Sequence, residues 1–224
     1  MVVNNGTLNI DGVTVKDNGS YNNDTIINGS NGEVIITNSI IEQNATYGAF
    51  ASDSKCKTRY CANAVVNSNG KLTIKDTTIK SNSQWAYTVN IYGGNANIEN
   101  VVINSGRGGF GIDGGNVNLK NVDVTLADDT NAYYAVYTTG AANITVSGGT
   151  MYSKRATFYL TGNPNVTINS GTFKTRGYKG HKIVEDHGST LTIKGGTFKG
   201  FDASSYLAPG YTQLSSGEVT LITE

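Results

Sequence analysis

Apolar and polar residues alternate along this chain in one short phrase that returns eight times. It reads Leu8-Asn9-Ile10, Val34-Ile35-Ile36, Leu72-Thr73-Ile74, Ala96-Asn97-Ile98, Val117-Asn118-Leu119, Ile144-Thr145-Val146, Val166-Thr167-Ile168 and Leu191-Thr192-Ile193. An apolar–polar–apolar triplet is the period-two signature of a strand with one buried face. Between first positions the spacings are 26, 38, 24, 21, 27, 22 and 25 residues. A strand that recurs every twenty-odd residues predicts stacked rungs of a solenoid rather than a closed globular sheet.

Each phrase leads through a two-residue corner into a second strand. In the last repeat Lys194-Gly195 makes the corner, Gly196 and Phe198 point inward and Thr197 points out. A third strand closes most rungs: Thr25-Ile26-Ile27, Ala64-Val65-Val66, Thr88-Val89-Asn90-Ile91, Phe110-Gly111-Ile112, Ala135-Val136-Tyr137, Thr157-Phe158-Tyr159-Leu160 and Lys182-Ile183-Val184. The second strand obeys a volume rule. Early rungs place two medium residues inside, such as Val13 with Val15, Val101 with Ile103 and Val122 with Val124. Late rungs place glycine beside a large residue: Gly149 with Met151, Gly171 with Phe173, Gly196 with Phe198. A core accepts such exchanges when total volume is kept, and Phe173 and Phe198 are expected to stack one rung apart, about 4.8 Å. The fold class expected is all-β, a parallel β-helix with three sheets and about eight rungs.

The late phrases Ile144-Thr145-Val146-Ser147-Gly148-Gly149-Thr150-Met151, Val166-Thr167-Ile168-Asn169-Ser170-Gly171-Thr172-Phe173 and Leu191-Thr192-Ile193-Lys194-Gly195-Gly196-Thr197-Phe198 resemble the "T-I-x-G-G-T-F" repeats of large bacterial surface proteins. Those proteins are right-handed parallel β-helices, often from Gram-positive gut bacteria. The segment Phe201 to Tyr211 looks like the one that ends such arrays. The same winding resembles the pectate-lyase-like superfamily. The resemblance covers most of the chain and implies secretion and display at the bacterial cell surface; it carries no catalytic motif across. The expected organisation is one β-helix domain over 1–224, with rungs over 1–198, a loop insertion at about 42–63 and a cap over 199–224. The opening Val2 to Ile10 matches Val65 to Ile74, so the chain is expected to be a fragment of a longer surface protein, with Met1 added for expression.

Composition narrows the partners. Lys+Arg 17 balance Asp+Glu 17, for a formal net charge of zero, which leaves no electrostatic footprint for nucleic acid or an anionic membrane. No apolar run approaches the roughly 18 residues of a membrane span, and no secretory leader pattern opens the sequence. A monomer without cofactor or metal is expected. The two cysteines, Cys56 and Cys61, sit inside the insertion. A pair closing a small loop suits a disulfide in an oxidising compartment, with two free thiols as the other reading; spacing alone does not establish the bond. The sequons at Asn18 and Asn143 arise readily in a chain this rich in Asn, Thr and Gly.

Candidate chemistry collects in the loop after the second strand, whose successive copies line up on one edge of a solenoid. That edge supplies Trp85, Arg107, Asp128, Asp129, Tyr133, Arg155 and Arg176, with Lys154, Tyr178, His181 and Lys182 nearby. Aromatic platforms beside charged hydrogen-bonding groups suit a sugar chain, and these seven residues are the expected ligand-binding set. The plainer reading pairs Asp128 and Asp129 with Arg107, Lys154 and Arg155 as surface ion pairs. A polysaccharide lyase needs an Arg or Lys base with charge neutralisers, and a glycoside hydrolase needs two carboxylates about 5–10 Å apart. Asp113 and Asp186 stand at what read as equivalent strand ends three rungs apart, too far to share a bond. Glu185-Asp186-His187 is the densest titratable cluster and reads as a polar strand end. Outward Thr145, Thr167, Thr192 and their neighbours are explained by β-propensity, with an ice-binding array as the remote alternative. The expected function is therefore a non-catalytic bacterial surface module, adhesin-like, that binds a host protein or extracellular glycan or serves as a rigid display stalk. The alternative is a carbohydrate-active lyase or hydrolase.

Overall fold

The computed structural model describes residues 1–18, 24–44, 62–83, 86–127 and 133–222. All eight phrases are strands, stacked parallel and in register. Leu8 lies on Val34, Val34 on Leu72, Leu72 on Ala96 and Ala96 on Val117. Val117 lies on Ile144, Ile144 on Val166 and Val166 on Leu191. Eight strands in one column enclose about seven turns of a parallel β-solenoid.

The three faces of each turn are built from two hydrogen-bonded sheets, of 8 and 13 strands, not from three. The third strands of the rungs, from Val2–Asn4 to Val184–His187, form the smaller sheet. The first and second faces share the larger one, because central strands such as Asn95–Ser105 and Gly115–Leu126 run through the corner between them. Four successive corners turn on one residue in the left-handed region: Asn38, Asp76, Asn100 and Asn121 have φ of 50, 50, 54 and 51°. Asn and Asp are the L-residues that visit this region at least cost. Only that residue of each of these corners is left-handed, so the ladder resumes at once; the next corner uses two, Gly148 and Gly149. The corner amides also bond axially, Asn100 Nδ2 to Asp76 Oδ1 at 2.8 Å and Asn121 Nδ2 to Asn100 Oδ1 at 3.2 Å.

The inward residues of all three faces form one continuous apolar column. The late-rung volume rule has a direct steric reading. A Cβ on Gly171 would sit 2.6 Å from Phe173 Cζ, inside the space its ring occupies. Phe173 and Phe198 are 4.9 Å apart between centroids, and Phe158 meets Phe173 edge-on at 5.1 Å. Val13 keeps its expected inward column, next to buried Ser39, but is left uncovered. It is 48% exposed, because the first rung has no neighbour beneath it. A polar column runs inside as well: Asn4 Nδ2 donates to Asn28 Oδ1 at 3.1 Å and Asn28 Nδ2 to Asn67 Oδ1 at 2.8 Å. Asn28 and Asn67 are fully buried, and their remaining donor capacity goes to carbonyls such as Lys71 O and Gly93 O, as buried amides require.

Outside, exposed ion pairs join neighbouring rungs: Lys16–Glu42 at 3.1 Å, Glu42–Lys80 at 3.4 Å and Glu99–Lys120 at 2.9 Å. At the C-terminal end the hairpin Tyr211–Gln213 with Glu218–Leu221 pairs antiparallel onto Gly196–Thr197 and closes the larger sheet. Val184–His187 ends the smaller sheet with no strand beyond it among the described residues.

Ile168 is fully buried between filled rungs while its neighbour Thr167 points out. Ile168→Ala is expected to cost about 2–5 kcal/mol through lost transfer energy and a cavity, and Thr167→Ala no more than about 0.5–1 kcal/mol. Gly171→Ala, at φ 134° and against Phe173, is expected to cost about 1–3 kcal/mol by overpacking. Urea melts of the three variants check this ranking; equal losses at positions 167 and 168 contradict the register.

Candidate functional site

The edge where the second face passes into the third carries the predicted loop residues. Trp85, Asp128 and Asp129 lie outside the described residues, as do Cys56 and Cys61. Arg107, Tyr133 and Arg155 fall on consecutive rungs. Tyr133 N donates to Arg107 O at 2.7 Å, and Arg155 N to Tyr133 O at 3.1 Å. The Tyr133 ring then has the Arg107 guanidinium carbon 3.8 Å from its centroid and that of Arg155 at 3.5 Å. Two groups this close to one centroid cannot share a face, so the ring is sandwiched between them. Such stacks are favoured because the π-face attracts cations. Arg176 stays outside this stack; it is exposed, with its N–H on Ser153 O at 3.0 Å. Its rung instead sends Tyr178 toward Lys154, whose Nζ lies 5.0 Å from that ring.

The structure adds residues that the loop reading missed. Tyr87, Tyr134, Tyr137 and Tyr159 pack with Ala156 and Tyr133 in a cluster separate from the core. Tyr87 and Tyr137 stack at 5.3 Å and 7°, Tyr134 lies 4.6 Å from Tyr159, and Tyr159 lies 4.7 Å from the ring of His187. Tyr137 and Tyr159 are register partners at outward positions of the third face. The strand Gly108–Ile112 makes room for them. A Cβ on Gly108 would lie 2.4 Å from the Tyr87 ring, and one on Gly111 2.9 Å from it. The signal was present in the sequence: Val136-Tyr137-Thr138 and Phe158-Tyr159-Leu160 both place tyrosine between inward residues.

Charge is organised locally. Tyr134 has its phenol pKa pushed up to about 12, chiefly by burial, against an opposing hydrogen bond from Arg155. His181 Nδ1 and Glu185 Oε1 are 2.7 Å apart. Asp186 Oδ1 accepts from Gly188 N at 3.1 Å and Ser189 N at 2.7 Å, fixing the turn after its strand. Asp186 shares the column of Leu160, Thr138 and Ile112. Asp113 lies one residue further along, where Thr139 Oγ1 donates to it, so the two aspartates do not occupy equivalent strand ends. Asp11, Glu42, Glu99 and Asp202 all have lowered pKa values. The causes are hydrogen bonds from Thr37 and Asn38, from Lys16, from Lys120 and from the Ser204 backbone respectively. A general acid needs the opposite shift. Among the described residues no cluster of three or more His, Cys, Asp or Glu is placed to hold a metal ion, and no helix is long and apolar enough to cross a membrane.

Parallel winding in register and strand columns, with no α-helix among the described residues, define a β-solenoid of the β-helix type. A family model described as the right handed beta helix region matches residues 62–215. That is more than half the chain, which therefore belongs to the right-handed β-helix family. Neither a curated protein nor a solved structure matches the chain significantly.

Tyr134 yields a pH test. Its folded-state pKa lies above the ordinary 10.0, so the folded form holds the phenol proton more tightly than the unfolded one. That contribution to stability is complete below pH 10 and is lost as the pH rises through about 12. In an ultraviolet titration of phenolate, Tyr134 is expected to ionise late, and Tyr134→Phe should remove the late component near pH 12.

Proposed function

We propose that this β-helix is a non-catalytic binding module of a bacterial cell surface, adhesin-like, and that its ligand is an extracellular glycan. The observation that supports this best is the outward aromatic strip. Tyr137 and Tyr159 follow one another along the helix axis, with the His187 ring beside Tyr159 and Glu185 as the next residue of their column, flanked by the Arg107–Tyr133–Arg155 stack. Each rung advances about 4.8 Å, so the tyrosine rings recur at a step suited to successive sugars. Tyrosine presents an apolar face and a polar tip at small entropic cost, and the guanidiniums, held against Tyr133, are pre-oriented donors for hydroxyl or carboxylate oxygens. A host protein surface is the other partner such a strip fits, because binding hot spots favour Tyr and Arg. The lyase or hydrolase reading draws less support, since the shifted carboxylates are all stabilised in their charged form.

On an array of glycans and host extracellular proteins, binding by the wild-type chain is expected among the glycans. Tyr159→Ala and Arg155→Ala should each weaken it by more than about 1 kcal/mol, and Thr192→Ala on the flat first face should leave it unchanged. Binding to proteins alone, or loss with Thr192→Ala alone, would refute this reading.

A further inference from the structure

The aromatic strip does not run off the end of the molecule. His187, whose ring lies 4.7 Å from that of Tyr159 at a 38° tilt, lines a groove of about 390 Å³ between the last strand of the third face and the cap. Glu185, Asp186 and His187 form one wall; Phe201, Asp202 and Tyr206 form the other. The cap hairpin covers the larger sheet and leaves the third face to end in this groove. A chain lying along Tyr137 and Tyr159 therefore enters the groove and meets the segment 201–206 across its path.

We infer that this groove is an end subsite, which holds the terminal neutral sugar of a glycan laid along the tyrosine strip, so that the module reads chain ends. The inference rests on the glycan reading above. Three features of the groove suit one sugar ring. The rings of Phe201 and Tyr206 lie nearly parallel, 14° apart at 6.3 Å, and give an aromatic wall. Asp186 and Asp202 each use Oδ1 to hold backbone N–H groups of their own turns. These turn bonds leave the Asp186 carboxylate with acceptor capacity on its second oxygen, and Asp202, which also takes a hydrogen bond from the Ser204 side chain, keeps further lone pairs for a sugar hydroxyl. The Tyr206 phenol has its pKa raised, by burial first and by nearby Asp186 second, so it stays a neutral hydroxyl able to donate and accept. Three carboxylates, Glu185, Asp186 and Asp202, face the groove against one lysine, Lys182, and this negative balance favours hydroxyl donors over an anionic sugar, because like charge at close range is costly.

The probe is a panel of linear neutral hexose oligosaccharides, each immobilised in turn through its reducing and its non-reducing end. The binding of wild-type protein is compared with that of Asp202→Asn and Tyr159→Ala. Asp202→Asn keeps the Oδ1 that accepts from Ser204 N at 2.9 Å, so the cap turn is preserved, and an unchanged melting temperature verifies it. The expected result is binding from one tether only, weakened about ten-fold or more by Asp202→Asn, the loss of a charge-assisted hydrogen bond, and lost also with Tyr159→Ala. Equal binding from both tethers, or binding indifferent to Asp202→Asn yet lost with Tyr159→Ala, overturns the end subsite and leaves the glycan reading standing. If no neutral oligosaccharide binds in either orientation, the end subsite is overturned, and the glycan reading stands or falls on the array.

Discussion

Every rung of this molecule finds its backbone hydrogen-bond partners in the rungs above and below, and the rest of the structure depends on that constraint. Parallel in-register pairing fixes an axial step of about 4.8 Å and places residue on equivalent residue, as in Leu72 on Ala96 on Val117. A side chain is therefore chosen against its column. Inside, columns must conserve volume, which is why glycine accompanies phenylalanine at Gly171 and Phe173. At the corner the column must accept a left-handed backbone, which is why it holds Asn38, Asp76, Asn100 and Asn121 before it turns to glycine at Gly148. Where an amide enters the core, as at Asn28 and Asn67, its neighbours in the same column supply part of the hydrogen bonding that burial removed.

The same constraint builds the candidate site. Residues 22 to 26 apart in sequence, Arg107, Tyr133 and Arg155, become axial neighbours without any long-range loop closure. Their interactions are stacking contacts at fixed height, so the strip is rigid in the axial direction. Solenoid architecture by itself specifies no ligand. What distinguishes this surface is that its third face changes character along the axis. It bears Asn90 and Gly111 in the middle rungs, then Tyr137 and Tyr159, then Glu185 beside the cap. The cap converts a repetitive surface into one with a definite end.

The period-two phrase and its spacing determined the solenoid, its inward columns and the edge on which Arg107, Tyr133 and Arg155 meet, because a strand's facing is local and the rung length sets which residues align. Three things were decided only by tertiary structure. The fusion of two faces into one sheet depends on one or two left-handed residues per corner, and the sequence shows only that asparagine, aspartate or glycine stands there. The tyrosine strip depends on ring directions and on the glycines at 108 and 111 that clear space for Tyr87. The groove depends on how the segment after Lys199 folds back. That segment breaks the repeat, so no column predicts its partners, and only its docking sets Phe201, Asp202 and Tyr206 opposite Glu185, Asp186 and His187.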